Sequence, residues 1–114
     1  MARKLLFALL TLAACSKGPQ ADLQYISQAR SLAAEWALIN EQSSDGRLNQ
    51  TYTQVMRQDL REQLQTTAKS LTQPNSRYGE EIRAVLKEPD DASPEELRSH
   101  ADQLKQIEDS LESA

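Results

Sequence analysis

Apolar side chains recur at the three- and four-residue spacing of an α-helix through most of this chain, in segments separated by turn-forming residues. Ser43-Ser44-Asp45-Gly46, Pro74 and Pro89 interrupt the pattern, because glycine favours a left-handed helix end and proline cannot continue a helix. Helix-favouring Ala, Leu, Gln, Glu and Arg are abundant, and only 4% of the residues are aromatic. The pattern therefore predicts an all-α fold and argues against a β-sandwich or barrel.

The spacing predicts a small bundle of three to four amphipathic helices, at about 22–42, 48–72, 77–87 and 94–112. Few of the apolar side chains are large, so we expect a thin core and a partner or a second copy that covers part of these faces. The predicted apolar face of the second helix comprises Leu48, Tyr52, Val55, Met56, Leu60, Leu64, Ala68 and Leu71.

The clearest helix boundary precedes the last helix. Ser93 suits an N-cap, Pro94 suits the first helical position, and Glu96 suits the third position of a capping box. Gly79 should weaken the first turn of the third helix, because glycine has a low helix propensity.

The first residues follow a different plan. Arg3 and Lys4 precede an apolar run at 5–12, which the small residues Ala13 and Ala14 follow. A membrane-spanning helix needs about 20 apolar residues, so this run is too short to be one. Its layout is that of a secretory signal peptide.

Cys15, the only cysteine in the chain, follows this segment directly. Leu12-Ala13-Ala14-Cys15 resembles the lipobox of bacterial lipoproteins, a resemblance that covers residues 1–16. It implies cleavage before Cys15, a diacylglyceryl group on the cysteine sulfur and often a further acyl chain, such as palmitate, on the new amino group. The alternative is ordinary signal cleavage, which would release a soluble secreted helical protein.

The resemblance also implies an organisation and a location. Residues 1–14 would be the signal peptide, 15–21 the lipidated cysteine with a short tether, and 22–114 the helical domain. In the sorting rule of enterobacterial lipoproteins, a serine such as Ser16 is compatible with delivery to the outer membrane. The expected location is the cell envelope, at the periplasmic leaflet of the outer membrane if the host has two membranes.

The charge of the predicted mature chain is acidic. Without residues 1–14, 11 basic and 17 acidic residues remain, a net charge near −6. Their excess of negative charge disfavours binding to nucleic acid.

His100, the only histidine, lies one helical turn after Glu96, at a spacing suited to a hydrogen bond or salt bridge. A metal site would need more ligands at organised spacing, so we predict no metal and no cofactor. We interpret His100 as a helix-face residue at the edge of an interface; the alternative is a pH-sensitive contact.

Three acidic pairs, Glu80-Glu81, Asp90-Asp91 and Glu95-Glu96, are interpreted as helix starts and a solvated loop rather than as catalytic groups. Trp36 lies in the middle of an apolar face and is interpreted as a core residue. No catalytic residue is predicted, so we do not expect an enzyme.

Together these features predict a small membrane-anchored helical lipoprotein of the bacterial envelope with a non-catalytic accessory or interaction role. It would bind membrane lipid through Cys15 and either an envelope protein or a second copy of itself. The body resembles small helical lipoproteins of proteobacteria, a resemblance that implies no activity. The alternative is a noncovalent structural spacer in the envelope.

Overall fold

The computed structural model describes residues 18–114, which form a short 3-10 turn and four α-helices. The turn, Pro19–Asp22, leads directly into α1 (Leu23–Ser44). Helices α2 (Gln50–Ser70), α3 (Arg77–Leu86) and α4 (Pro94–Glu112) follow. The prediction of an all-α fold is confirmed for the described residues, and each predicted helix begins and ends within two residues of its expected limits.

Helix α1 is the centre of the bundle. It packs most extensively against α4 and also against α2, while the shorter α3 packs against α2 and α4. The polar contacts Arg30–Glu108 and Glu41–Arg98 join α1 to α4 near both ends, and their order shows that the two helices are antiparallel.

The core draws apolar side chains from all four helices. Three fully buried alanines of α1, Ala29, Ala33 and Ala37, recur at four-residue intervals and allow a neighbouring helix to approach closely. Trp36 is also fully buried, which confirms its interpretation as a core residue. The large, fully buried apolar residues are Ile26, Trp36, Leu60, Leu64, Ile82, Val85, Leu97 and Leu104.

The predicted apolar face of α2 is partly wrong. Tyr52 and Val55 are 48% and 59% exposed, whereas Thr53 and Thr67 are buried. Tyr52 is spaced in steps of four from Leu60 and Leu64, and because such steps exceed one helical turn of 3.6 residues, the series drifts out of the interface; Val55 lies outside this series. The two threonine hydroxyls donate to the carbonyl oxygens four residues earlier and are therefore buried with a partner. The buried line along this helix and just past its end is Thr53, Leu60, Leu64, Thr67 and Leu71.

Side-chain caps mark the starts of three helices. Asn49 Oδ1, Ser76 Oγ and Ser93 Oγ each accept a hydrogen bond from the backbone N–H three residues later. The prediction for Ser93 is thus confirmed, with 3.2 Å between Ser93 Oγ and the nitrogen of Glu96. Gly46, with a φ of 74°, lies just beyond the end of α1 in the left-handed conformation expected there.

Gly79 has a role that its low helix propensity did not indicate. A Cβ atom added at Gly79 would lie 2.2 Å from the carbonyl oxygen of Pro74, which is a backbone atom and cannot rotate away. Only glycine therefore lets the first turn of α3 lie this close to the preceding loop.

We expect Gly79→Ala to destabilise the protein by about 1–3 kcal/mol, because the backbone must move to relieve the contact. Helix propensity alone predicts the opposite sign, a gain of up to about 1 kcal/mol. Urea unfolding followed by circular dichroism distinguishes the two, and a more stable variant would show that the close approach is not a constraint.

Candidate functional site

The start of the helical body is fixed by one carboxylate, Asp22, which is fully buried. It accepts hydrogen bonds from the backbone N–H groups of Thr72 and Gln73 and from the hydroxyl of Tyr78, at 2.6–3.1 Å. Asp22 precedes α1 and could have been taken for its N-cap, but its side chain makes no capping bond. The carboxylate of Asp22 instead joins the beginning of α1 to the α2–α3 loop. Helix α2 ends at Ser70, two residues before the predicted limit, and the backbone N–H groups of Thr72 and Gln73 that donate to Asp22 follow shortly after this end.

These contacts change the acidity of both side chains. Burial acts to raise the pKa of Asp22, but the hydrogen bonds from Thr72, Tyr78 and Gln73 outweigh it, so the pKa lies below its usual value. Burial and the hydrogen bond to Asp22 raise the pKa of Tyr78 to about 12. The pair is therefore a carboxylate and a neutral phenol over the whole physiological range.

A second set of contacts holds the loop at 87–93, which connects α3 to α4, against α1. The indole N–H of Trp36 donates to the carbonyl of Asp90 at 3.0 Å. The amide nitrogen of Asn40 donates to the carbonyls of Asp90 and Ala92, and its amide oxygen accepts from Arg57 of α2. The side chains of two helices thereby satisfy backbone groups of a loop that has no regular structure.

Arg61 of α2 completes this attachment. Its guanidinium lies over the ring of Trp36, 4.8 Å from the centroid. It also donates to the carbonyls of Leu86 and Glu88 and to the carboxylate of Asp90, at 2.8–3.0 Å. Because lysine has neither the planar fork nor the same stacking, this position requires arginine. Arg61 on α2 thus helps to fix the backbone position of Glu88.

Four ionisable side chains meet beside this loop. His100 of α4 pairs through Nδ1 with Glu81 of α3, at 2.7 Å, and through Nε2 with Glu88 of the loop, at 2.6 Å. Glu96 is also close: the ligand atoms of Glu88, Glu96 and His100 all lie within 4.8 Å of one another. The side chains of His100, Glu81 and Glu88 are only 15–20% exposed. We call these four residues the His100 cluster.

The partners of His100 differ from the expected one. The prediction paired His100 with Glu96 on the same helix, whereas its hydrogen bonds go to Glu81 and Glu88. Burial acts to lower the pKa of His100, but the hydrogen bonds that its ring donates to these two carboxylates outweigh it and raise the pKa above its ordinary value. Since a carboxylate only accepts hydrogen bonds, both ring nitrogens must carry a proton to make both bonds.

The acidic pairs divide between surface and cluster. Glu80, Asp91 and Glu95 are exposed, as expected for helix starts and a solvated loop. Glu81 is drawn into the His100 cluster and Asp90 pairs with Arg61, contacts that the interpretation as a solvated surface missed. Sequence spacing could not reveal either contact, because the paired residues are 19 and 29 positions apart.

Three exposed apolar side chains lie away from the start of the body. Leu38 of α1 is 50% exposed, and Tyr52 and Val55 of α2 are exposed to a similar extent. The contact between Asn40 and Arg57 places these side chains in the half of the α1–α2 pair that is remote from Asp22. We call Leu38, Tyr52 and Val55 the distal apolar residues.

The predicted lipidation site, Cys15, and the signal peptide at 1–14 lie outside the described residues. None of the helices in the range 18–114 combines the length and the apolar character needed to cross a bilayer. In comparisons with protein-family models, curated proteins and solved structures, nothing matches the chain.

The Asp22 contacts predict a pH-dependent stability. A folded-state pKa below the unfolded value near 4 stabilises the protein above that pH, and the stabilisation is lost as the pH falls through the folded pKa. Asp22→Asn should therefore cost about 1.5–3 kcal/mol at neutral pH, the value typical of hydrogen bonds to charged groups, and less in acid.

Urea unfolding of wild type and variant across the acid range measures this difference. Asp102→Asn, which removes an exposed carboxylate from α4, is the matched control and should change little. A stability difference between wild type and Asp22→Asn that is the same at pH 7 and pH 3 would contradict the assignment.

Proposed function

We propose that this chain is a lipid-anchored helical protein of the bacterial envelope, attached through Cys15, with an accessory or interaction role and no catalysis. The observation that carries the proposal is the sequence Leu12-Ala13-Ala14-Cys15 after a basic and then apolar segment. The attached lipid would be a diacylglyceryl group on sulfur with a further acyl chain on the amino group. Two or more chains anchor a protein stably, whereas one gives only marginal membrane binding.

The start of the helical body supports this proposal, because it restricts how far the body could move from an anchor. The carbonyl of Gly18 accepts hydrogen bonds from the hydroxyl of Thr72 and from the N–H of Ala21. The body therefore begins three residues after Cys15, and three residues span at most about 11 Å. A lipid at Cys15 would keep the helices next to the bilayer.

The same contacts would orient the body. The end of the bundle that holds Asp22, the α2–α3 loop and the C-terminal turn of α4 would face the bilayer. Pro19, Tyr78, Ile107 and Leu111 line a shared depression at this end. We call this end of the bundle the tether end. The distal apolar residues, in the remote half of the α1–α2 pair, would then be presented away from the lipid.

The non-catalytic part of the proposal is supported by what the buried polar groups do. Asp22, Asn40, Thr53, Thr67 and Glu108 are the buried polar residues of the described range. Each makes a hydrogen bond that joins two parts of the fold or satisfies the backbone. Leu38, Tyr52 and Val55 are the large apolar side chains exposed in the described range, and the proposed protein partner, an envelope protein or a second copy, would cover some of them.

We expect Cys15→Ala to abolish lipidation and to leave the uncleaved precursor, because transfer of the diacylglyceryl group requires the thiolate nucleophile. Incorporation of labelled palmitate and the mass of the membrane-extracted protein measure both effects. Ser16→Ala is the matched control and should still be lipidated and cleaved. Normal processing of Cys15→Ala, together with a wild-type protein that carries no lipid, would refute the anchor.

A further inference from the structure

The His100 cluster holds more negative charge than its own residues neutralise. Three carboxylates, those of Glu81, Glu88 and Glu96, surround one imidazole, so a net charge of about −2 remains even when the ring is protonated. The ion-pair partner of Glu81 and Glu88 in the described part of the chain is His100. Because the side chains of Glu81, Glu88 and His100 are only 15–20% exposed, water screens the repulsion between the two glutamates less than at an open surface.

The donor set suits one class of cation. Imidazole nitrogen with carboxylate oxygens is typical of sites for zinc and similar first-row divalent metals, whereas calcium and magnesium prefer oxygen ligands alone. The ligand atoms of Glu88, Glu96 and His100 already lie within 4.8 Å of one another. Bonds of about 2.0–2.2 Å to a tetrahedral ion would need only small side-chain rotations, and the exposed Glu96 is free to make them.

The fourth residue adds a feature that a chance group of acids lacks. Glu81 pairs with Nδ1 of His100 at 2.7 Å, on the side of the ring opposite Nε2. Histidines that bind metals commonly donate their second ring N–H to a carboxylate, which fixes the tautomer and the orientation of the ring. Here that contact directs Nε2 towards Glu88, which lies 2.6 Å away.

We propose that Glu88, Glu96 and Nε2 of His100 bind a divalent ion of the zinc class, with Glu81 as the positioning residue for the imidazole. The ion would take the place of the proton that now lies between His100 and Glu88. It would connect the start of α4 to the loop that follows α3, and Arg61 and Asn40 already hold that loop in place. Three protein ligands leave a fourth position for water.

The chain contains a matched control in a second group of acids. Glu108, Asp109 and Glu112 of α4 also bring their carboxylates within 4.8 Å of one another. They include no histidine, and Glu108 and Asp109 are already paired with Arg30 and Lys105. We therefore expect no zinc-class site there, and Glu112→Gln should leave binding unchanged.

Isothermal titration of the metal-stripped full chain with Zn²⁺ tests the proposal, and Co²⁺ absorption reports the coordination geometry. We expect one ion per chain, undisturbed by excess Ca²⁺. Affinity should fall at least about tenfold in Glu96→Gln and about 10–100-fold in Glu81→Gln, the range typical of residues that orient a ligand. His100→Ala should abolish binding. If that variant folds poorly, Glu96→Gln still tests the proposal, because an exposed side chain can be replaced without disturbing the core.

Two results would overturn the proposal. The first is a wild-type chain that does not bind Zn²⁺ or loses it to Ca²⁺. The second is binding that persists unchanged in Glu96→Gln and His100→Ala, which would place the ion elsewhere, for example on the sulfur of Cys15. Failure of lipidation would affect neither result, because the His100 cluster lies within the helical body.

Discussion

The buried carboxylate of Asp22 determines how the chain enters its fold. Burying a charge is unfavourable unless hydrogen bonds replace the lost water, and here two backbone N–H groups and one phenol do so. These donors belong to the α2–α3 loop and to α3, so one side chain sets the position of the start of α1 relative to that loop and to α3. The proposed orientation of the body on the membrane depends on this contact, because it helps to fix which end of the bundle lies nearest to Cys15.

The opposite half of the molecule is organised by a loop rather than by a helix. Residues 87–93 are held by Trp36, Asn40 and Arg61, and this attachment places Glu88 beside His100. A short α3 makes this possible, since the chain leaves the helix at Leu86 and crosses to α1 before α4 begins. The proposed cation would offset the net negative charge of the cluster, and the hydrogen bonds from Trp36, Asn40 and Arg61 explain why the loop is ordered without regular structure.

The sequence predicted the helices well because their signals are local. Ser93-Pro94 marked the start of α4 correctly, and the limits of all four helices were correct within two residues. The face of α2 was partly wrong because Tyr52 was included by its four-residue spacing from Leu60 and Leu64, which drifts out of the interface, and Val55 was included to widen that face. Gly79 was interpreted by its propensity alone, although the close approach of Pro74 determines its role.

The candidate sites were less predictable, because their contacts join distant parts of the chain. Asp22 resembles a helix N-cap in sequence, and its partners lie 50 or more positions away. His100 showed only Glu96 as a neighbour, since periodicity relates residues within one helix and not residues on different helices. Arg61 gave no signal at all, because its partners are the ring of Trp36 on α1 and oxygen atoms at 86–90, which are all distant in sequence.

The central claim is that a lipid holds the tether end against the bilayer while the distal apolar residues meet a protein. Photoreactive residues at Asn75, in the exposed α2–α3 loop, and at Val55 test it in intact cells by mass spectrometry of their adducts. The account predicts phospholipid adducts at Asn75, and at Val55 a discrete protein adduct with little lipid. Equal lipid adducts at both positions, or lipid at Val55 alone, would contradict it.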